Sequence, residues 1–436
     1  MNYFSKFLRR LSGETANSKS PPRNRPLATP ETVEARCLFA VSPIHVGAIY
    51  VEQDSGSDAR GDLFELTFRG GAAGTQLRRV VIDTDQGLQG FGIADNFYDI
   101  VEGGFGADHA RDFELLAQNG IDHVRAIVED GGTRLVLEFE GFDAGEALQF
   151  TIDVDEVETF DPAETSLPLI NDGFDPITSG VEFQGTLFTA EFIAPHFYDV
   201  TANSTFRNRY DEALQASGLP LPEDDFNGRR DRSAGAFASA TQIPIPVTIS
   251  GYVYHDRDND GIRDANEEGI RGVSVRLEPI ETVTDLAPAT IVTDANGFYR
   301  FTNLVAGRYR VVEAAQPSGY FDGKDTAGTV RGQTRGLAGN EVIDAVRLDG
   351  GDEGLEFNFG ELLPVSIRGR VTLTNREGNC DGESIDHPPV VGARVLLYDA
   401  AGVLVAETVT NQDGEYEFTG LPPGGYRVVE ITPEGL

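Results

Sequence analysis

The sequence predicts an all-β protein built from antiparallel sandwiches, and three observations support this. Apolar and polar residues alternate with a period of two in many short segments, such as the one in which Leu135, Leu137 and Phe139 share a face. Fifty Gly and 22 Pro among 436 residues allow frequent tight turns between such segments. A unit of about 117 residues also recurs near the carboxy terminus. We therefore expect an N-terminal β-sandwich or jelly-roll-like domain, followed by tandem sandwiches of about seven strands each.

The charge balance limits the classes of partner. The chain has 71 Asp and Glu against 35 Lys and Arg, a formal net charge of −36. Phosphate backbones and anionic lipids would repel such a chain, so we expect no nucleic-acid partner. No run of 18 apolar residues is present, and we expect no membrane span. Cys37 and Cys380 are too few and too far apart for a disulfide framework or a thiolate metal site.

Residues 1–40 differ from the rest of the chain. They are rich in Arg, Pro and Ser, and they lack the apolar stretch of an ordinary signal peptide. The pattern Glu34-x-Arg36-x-Leu38-x-Ala40 resembles the N-terminal targeting segment of many large planctomycete secreted proteins. We predict a largely disordered export segment and linker, and hence a secreted, extracellular or cell-surface protein. The alternative is a disordered tail with no targeting role.

Residues 41–245 are predicted to form a β-sandwich domain of unknown role. Two helices are expected within it, at 110–119 with Phe113 and Leu116 on the inner face, and at 207–217. Each is followed by a glycine that can end a helix. A loop is expected over 218–242.

Four aspartates of this domain allow two interpretations. Asp83, Asp85, Asp95 and Asp99 either form a second cation site or sugar-contacting loop, or they shape turns.

The repeat predicts two further domains, 246–362 and 363–436. Residues 293–301 match 410–418, and Tyr-Arg-Val-Val-Glu at 309–313 recurs at 426–430. The second copy stops at Leu436, short of the length of the first, so we expect it to be incomplete.

A candidate calcium loop follows the first strand of the first repeat. Residues 256–267 fit the pattern Asp-x-Asp-x-Asp-Gly-x5-Glu without a mismatch. Ca²⁺ prefers six to eight oxygens, and alternate residues of a curled loop can supply them. The alternative is an acidic, solvated turn. The second repeat has fewer oxygens at 374–383, and calcium binding there is left open. The predicted ligands are the carboxylates of Asp256, Asp258 and Asp260, the Ile262 carbonyl, Asp264 directly or through water, and Glu267.

These motifs resemble a known family. Gly-x-Val-x-x-Asp-x-Asp-x-Asp-Gly at 251–261, Thr-Asp-x-x-Gly-x-Tyr-x-Phe at 293–301 and Gly-x-Tyr-x-Val at 307–311 resemble the B-type domains of serine-aspartate repeat surface proteins. That family belongs to the collagen-adhesin B-type and prealbumin-like group. The resemblance implies prealbumin-like sandwiches, bound calcium, and an extracellular stalk or adhesin module that is not an enzyme. Relatives with Lys–Asn isopeptide bonds need a lysine in the first strand, and 251–255 has none, so we expect no such bond.

The function predicted from these features is structural or adhesive. We expect a modular surface protein whose repeats bind Ca²⁺ for rigidity, with an extracellular-matrix or cell-surface protein or polysaccharide as the class of partner. The alternative is a secreted carbohydrate-binding or carbohydrate-active protein in which 41–245 contacts the glycan. The chain has no Trp, the residue that sugar platforms favour, and shows no pair of facing carboxylates.

Overall fold

A computed structural model describes residues 41–53, 61–86, 96–106, 109–157, 174–175, 178–221, 230–373 and 388–433. The elements over these residues are β-strands, one α-helix and one 3₁₀ turn at Arg230–Arg232, which confirms the predicted all-β fold. The predicted export segment and both cysteines lie outside the described residues. Within the described part of the chain, no helix has the length and apolar character that crossing a bilayer requires.

The N-terminal part contains thirteen of the described strands and the helix. In chain order they are β1 Ile44–Val51, β2 Asp62–Arg69, β3 Gln76–Asp83, β4 Asn96–Tyr98, β5 Glu114–Asn119, β6 His123–Ile127, β7 Arg134–Glu140, β8 Ala147–Ile152, β9 Val154–Val157, β10 Phe174–Asp175, β11 Leu187–Ile193, β12 Val200–Thr205, α1 Asp211–Ser217 and β13 Ser233–Ala240.

Two five-stranded sheets form the sandwich. Their strand orders are β13-β1-β2-β8-β5 and β12-β11-β3-β7-β6, and β10, β9 and β4 make a smaller third sheet. Leu135, Leu137 and Phe139 of β7 are buried while their neighbours are not, which confirms the predicted alternation. Phe68 of the first sheet meets Phe192 of the second with ring centroids 5.1 Å apart. Both sheets thus contribute to one hydrophobic core.

Strand β1 is buried on both faces. Tyr50 packs into the core between the sheets, whereas Ile49 packs against Leu214 of α1 on the other side. The helix ends at Gly218, which has φ 61° and donates its N–H to the Leu214 carbonyl at 3.1 Å. Glycine adopts this left-handed conformation at low cost.

The predicted helix at 207–217 is present but shorter. It begins at Asp211, because Arg207 exchanges two backbone hydrogen bonds with Gly235, each 3.0 Å long. That pairing holds the preceding residues in an extended conformation.

The helix predicted over 110–119 is wrong. Residues 114–119 form β5, the edge strand of the first sheet, in which Leu115 pairs with Phe150 of β8. Phe113 does pack inward, with its ring 5.1 Å from that of Phe150, but Leu116 is half exposed. Pairing with β8 therefore overrides the helical spacing of the apolar residues.

The loop expected over 218–242 is wrong for its last part. Residues 233–240 form β13, which pairs with β1 along its whole length. The strand is rich in Ala, Ser and Gly, so its sequence lacks the bulky residues that mark strands. Those small residues are required here, since a Cβ on Gly235 would lie 2.8 Å from ring atoms of both Phe237 and Tyr210.

The first repeat is described in full and contains twelve strands. Seven have four or more residues, as expected for a seven-stranded sandwich, and five are shorter additions. They are β14 Val247–His255, β15 Ser274–Thr282, β16 Ala289–Val292, β17 Phe298–Leu304, β18 Gly307–Glu313, β19 Phe321–Asp322, β20 Thr329–Val330, β21 Gln333–Thr334, β22 Leu337–Gly339, β23 Val342–Leu348, β24 Glu353–Leu355 and β25 Phe359–Leu362.

Two sheets enclose the core of this repeat. One is ordered β16-β15-β18-β23-β22, and the other is centred on β14, which pairs with β17 and, in parallel, with β24 and β25. Their inner faces form a cluster that includes Val253, Tyr299, Tyr309 and Phe359. The parallel pairing places Glu361 beside His255, at the start of the candidate calcium loop.

The second repeat reproduces the local structure of the first. Its described strands are β26 Val365–Arg370, β27 Arg394–Asp399, β28 Leu404–Val409, β29 Glu415–Leu421 and β30 Tyr426–Ile431.

Equivalent turns show the repetition in atomic detail. In the first repeat, Asp294 Oδ1 accepts hydrogen bonds from two backbone N–H groups before a glycine-containing hairpin, and Asn411 Oδ1 does the same in the second. Tyr309 Oη donates to the carbonyl four residues earlier, as does Tyr426 Oη. The repeat predicted from the sequence is therefore confirmed.

Candidate metal centre

The candidate calcium loop is a tight curl directly after β14. Two of its residues have left-handed backbones, Asn259 with φ 57° and Gly261 with φ 84°. A Cβ on Gly261 would lie 2.8 Å from Thr326 Oγ1, which donates a hydrogen bond to the Gly261 carbonyl. The sixth position of the loop thus requires a glycine for its conformation and for this close approach.

Asp256 anchors the loop from the protein interior. Its side chain is fully buried, with Oδ2 accepting from Gly261 N at 2.8 Å and Oδ1 from Asp260 N at 3.2 Å. Burial raises the pKa of Asp256; the Gly261 N–H opposes this, and the nearby Glu267 adds to it.

Three of the predicted ligands come together. One carboxylate oxygen from each of Asp256, Asp258 and Asp260 lies within 4.8 Å of the other two. Oxygens that bind one Ca²⁺ at about 2.3–2.6 Å can be separated by up to about 5 Å, so this spacing is compatible with a shared ion. Asp258 and Asp260 are exposed, so the group opens to solvent on one side.

The other predicted ligands are placed differently. Glu267 is buried, and its two oxygens accept from Arg257 N and Asp264 N, both at 2.8 Å. It therefore ties the two ends of the loop together through the backbone rather than joining the three aspartates. Asp264 is exposed, and Ile262 has an exposed side chain and donates its N–H to Asp260 Oδ1 at 2.6 Å.

The basic side chains around the loop have other partners. Arg257 Nη2 donates to both oxygens of Glu268, at 2.9 and 2.8 Å. The guanidinium of Arg263 lies over the ring of Tyr252, 4.0 Å from its centroid. Both arginines of the loop thus contact groups other than the three aspartates.

A second carboxylate group lies in the same repeat. Oxygens of Glu313, Glu341 and Glu361 lie within 4.8 Å of one another, and Glu313 and Glu361 are buried. Gln316 Nε2 donates to Glu361 Oε2, whereas neither side-chain oxygen of Glu313 receives a hydrogen bond from a residue that the structure describes. Burial is the main cause that raises the pKa of Glu313, Glu341 and Glu361. The pKa of Glu341 is raised to about 7. Repulsion from neighbouring carboxylates raises the pKa of Glu313 and Glu341 further.

The two groups are joined through the backbone. Asp256 N donates to the Glu361 carbonyl at 2.9 Å, as part of the parallel pairing of β14 with β25. Sequence reasoning did not find the second group, although one signal was available. Along β18 the residues Tyr309, Val311 and Glu313 are all buried, so the period of two places a glutamate on the inward face.

Of the aspartates singled out in the N-terminal domain, the described ones, Asp83, Asp85 and Asp99, do not form one group. Asp85 N donates to Asp83 Oδ1 at 3.3 Å, as in an aspartate-shaped turn, and Asp95 lies outside the described residues. Asp99 instead groups with Asp153 and Asp155. The loop at 374–383 of the second repeat also lies outside the described residues.

The described surface of 41–245 does not favour the glycan-binding alternative. Among its described aromatic residues, only Tyr198 has an exposed ring. A single ring does not make a stacking platform for a sugar.

A family model and curated relatives match the carboxy-terminal part of the chain. The model of the SdrD B-like domain matches residues 247–360 and 372–436. The chain is 32% identical over 246 residues to serine-aspartate repeat-containing protein D of Staphylococcus aureus strain Newman, covering 55% of this chain and 17% of that protein. It is 30% identical over 269 residues to serine-aspartate repeat-containing protein F of Staphylococcus epidermidis, covering 58% of this chain and 14% of that protein. The chain thus spans less than a fifth of the length of these relatives.

Solved structures show weaker similarity. The Bacillus anthracis TIE protein is 11% identical at a TM-score of 0.24, with 89% of this chain and 53% of that chain covered. A streptococcal ancillary pilin is 13% identical at a TM-score of 0.23, with 69% and 73% covered. Scores this low carry no functional argument, whereas the sequence matches do identify the repeats. The carboxy-terminal part of the chain therefore carries two B-type domains of the kind found in serine-aspartate repeat proteins.

Proposed function

We propose that this chain is a modular, non-enzymatic surface or secreted protein with a structural or adhesive role, whose first B-type domain binds calcium. The family match over both repeats supports the modular role. The observation that carries the calcium proposal is the group formed by Asp256, Asp258 and Asp260, with mutual oxygen distances within 4.8 Å.

The proposed ligand set extends beyond these three side chains. The buried Asp256 sets the position of the site, while Asp258 and Asp260 supply exposed carboxylates. Glu267 lies at the end of the loop. On calcium binding, its carboxylate oxygens would give up the hydrogen bonds from Arg257 N and Asp264 N and bind the ion instead. The full proposed set is Asp256, Asp258, Asp260, the Ile262 carbonyl, Asp264 directly or through water, and Glu267.

The proposed role of calcium is static. The loop lies between β14 and β15, so there is no pair of flanking helices to open, unlike in calcium switches. An ion there would hold the loop against the 324–326 segment, which already contacts it through Lys324 Nζ and Thr326 Oγ1. Extracellular calcium modules work with Kd values of about 10⁻⁴–10⁻³ M, the range that we expect here.

The second carboxylate group provides another cation position in the proposal. Among the described residues, none donates a hydrogen bond to either carboxylate oxygen of Glu313, and Glu341 and Glu361 lie beside it. Buried carboxylates without donors are costly unless they are protonated or bound to a cation. A domain with two such positions would be held together by calcium on both sides of the β14–β25 pair.

The test is hydrogen exchange of core amides of the first B-type domain, measured on the full chain in calcium and in chelator. For wild type, calcium should stabilise the first B-type domain by RT ln(1 + [Ca²⁺]/Kd), or about 2.7 kcal/mol at 100 times Kd. Glu267→Ala also removes two hydrogen bonds, so it should be less stable in both conditions, and it should lose most of the calcium increment that comes from the loop. If these amides exchange at the same rate in wild type in both conditions, the calcium proposal fails.

The extracellular location and the partner class belong to the same proposal. Residues 1–40 would direct export, and the exposed faces of the domains would contact an extracellular-matrix or cell-surface protein or polysaccharide. Fractionation of the native source tests the first point, because detection of the protein only in the cytoplasm would contradict export.

A further inference from the structure

Three aspartates of the N-terminal domain meet at one buried point. Asp99 directly follows β4, Asp153 lies between β8 and β9, and Asp155 is within β9. The backbone holds them in register, since Asp99 N donates to the Asp153 carbonyl at 3.2 Å and Asp155 pairs with Phe97 of β4. One carboxylate oxygen of each lies within 4.8 Å of the other two.

Burial separates this group from an ordinary acidic surface. The exposed fractions of Asp99, Asp153 and Asp155 are 2%, 3% and 1%. The buried Oδ1 of Asp99 receives no hydrogen bond from the described residues. A buried carboxylate oxygen without a donor is a costly feature that a bound ligand would explain.

The loop after β4 closes over the carboxylates. Asp130 fixes this loop, with Oδ1 accepting from Ile100 N and Val101 N, both at 3.1 Å, and Oδ2 from Phe105 N at 2.8 Å. Asp130 therefore has its oxygens engaged by the backbone.

The described part of this loop ends at Gly106, which lies next to the carboxylates of Asp99 and Asp155. A Cβ on Gly106 would lie 2.3 Å from Asp99 Oδ2 and 2.8 Å from Asp155 Oδ2. With φ 137°, this residue brings bare backbone up to two carboxylate oxygens, where a side chain would fill the space between them.

The nearest arginine along the backbone is directed elsewhere. Arg111 exchanges backbone hydrogen bonds with Asp99 and Asp153, at 3.2 and 3.1 Å, but its Nη1 donates to the Ala110 carbonyl at 2.9 Å. Burial, with added repulsion from Asp155 and Asp130, raises the pKa of Asp99 to about 8.

We propose that Asp99, Asp153 and Asp155 bind a divalent cation, and specifically Ca²⁺, at the junction of β4, β9 and the 101–106 loop. An all-carboxylate donor set suits a hard cation, and water or backbone carbonyls can complete the coordination. Binding would fix the loop to the small sheet of the N-terminal domain. This site is independent of the B-type loop, which lies in another domain.

The first test counts calcium bound to the full chain after equilibrium dialysis, by elemental analysis. Asp99→Asn/Asp155→Asn should lose one calcium per chain relative to wild type. Glu114→Gln, which removes an exposed charge from β5 of the same domain, should lose none. Asp256→Asn/Glu267→Gln should keep the ion at Asp99. An unchanged count in the Asp99→Asn/Asp155→Asn variant would overturn the proposal.

The second test uses wild type alone, so it does not depend on whether a variant folds. Hydrogen exchange is compared in calcium and in chelator for peptides covering 96–106 and 150–157, which include the amides of Asp99 and Asp153 hydrogen-bonded at this junction. If exchange requires opening of the site, calcium should slow it by 1 + [Ca²⁺]/Kd, about 100-fold at 100 times Kd. Equal exchange in both conditions would show that calcium does not bind to this group, and would overturn the proposal.

Discussion

Replacing Asp258 by alanine separates the role of calcium from the intrinsic stability of the loop. Asp258 is exposed, and its contact with the folded loop is one long hydrogen bond, from Asp260 N to Oδ1 at 3.3 Å. Asp256, in contrast, is buried with two backbone donors, so its removal would damage the fold with or without calcium. Asp258→Ala therefore removes a proposed ligand while leaving the rest of the domain almost unchanged.

The expected magnitudes differ between the two conditions. In chelator, the substitution removes repulsion from Asp256 and Asp260, which at 4.8 Å in water is about 0.9 kcal/mol per pair before salt screening reduces it. The weak hydrogen bond lost opposes this gain, so we expect a net change within about 0.5 kcal/mol. In calcium at 100 times Kd, a 100-fold loss of affinity reduces the increment from about 2.7 to about 0.4 kcal/mol.

Hydrogen exchange of core amides is the suitable assay, because the chain has several cores and a single melting temperature would mix them. Val253 N, bonded to the Gly297 carbonyl at 2.9 Å, reports opening of the first B-type domain. The control is Asp294→Ala, which removes two hydrogen bonds from a turn and should lower stability equally in calcium and chelator. If Asp258→Ala loses the same free energy in both conditions, the loop is a structural turn and the calcium reasoning is refuted.

Three further predictions concern the two larger domains. Gly251→Ala places a Cβ 1.8 Å from the Phe357 carbonyl and should destabilise the first B-type domain by about 1–3 kcal/mol or more, seen as a lower urea midpoint. Arg232→Ala removes the cation that binds buried Glu52 through two nitrogens and should cost the N-terminal domain about 3–5 kcal/mol by the same measurement. In chelator, the stability of the first B-type domain should fall as pH rises from 4.5 to 7. The reason is that burial raises the pKa of Glu341 to about 7, so over this range the folded state holds a proton that the unfolded chain has lost. Urea midpoints that rise over this range would contradict the prediction.

The sequence predicted those parts of the fold that depend on local pattern. Alternation along β7 depends on residues close in the chain and was predicted correctly. The turns at Asp294 and Asn411 are likewise local, and their matching sequences show the repeat. The errors occur where distant pairing decides. Residues 114–119 have helical spacing but complete the edge of a sheet beside β8, and small-residue β13 becomes a strand because it pairs with β1.

The same distinction explains what could be predicted of the carboxylate groups. The 256–267 loop carries its proposed ligands within twelve residues, so their spacing is visible in the sequence. Glu313, Glu341 and Glu361 come from three separate segments and meet only through the sheet pairing. Asp99 and Asp155 meet only because β4 pairs with β9.

Both carboxylate groups of the first B-type domain are connected to β25, the last strand of that domain. Asp256 begins the candidate calcium loop, and its N–H donates a hydrogen bond to the carbonyl of Glu361. The side chain of Glu361 belongs to the second carboxylate group. Glu361 lies in β25, which ends at Leu362, and β26 of the second domain begins only at Val365. A cation at either group would therefore restrain the strand that leads out of the first domain. Because so few residues separate the two strands, stiffening of β25 would be transmitted to the linker itself, and this is how calcium would make consecutive B-type domains a more rigid rod without changing the shape of either one.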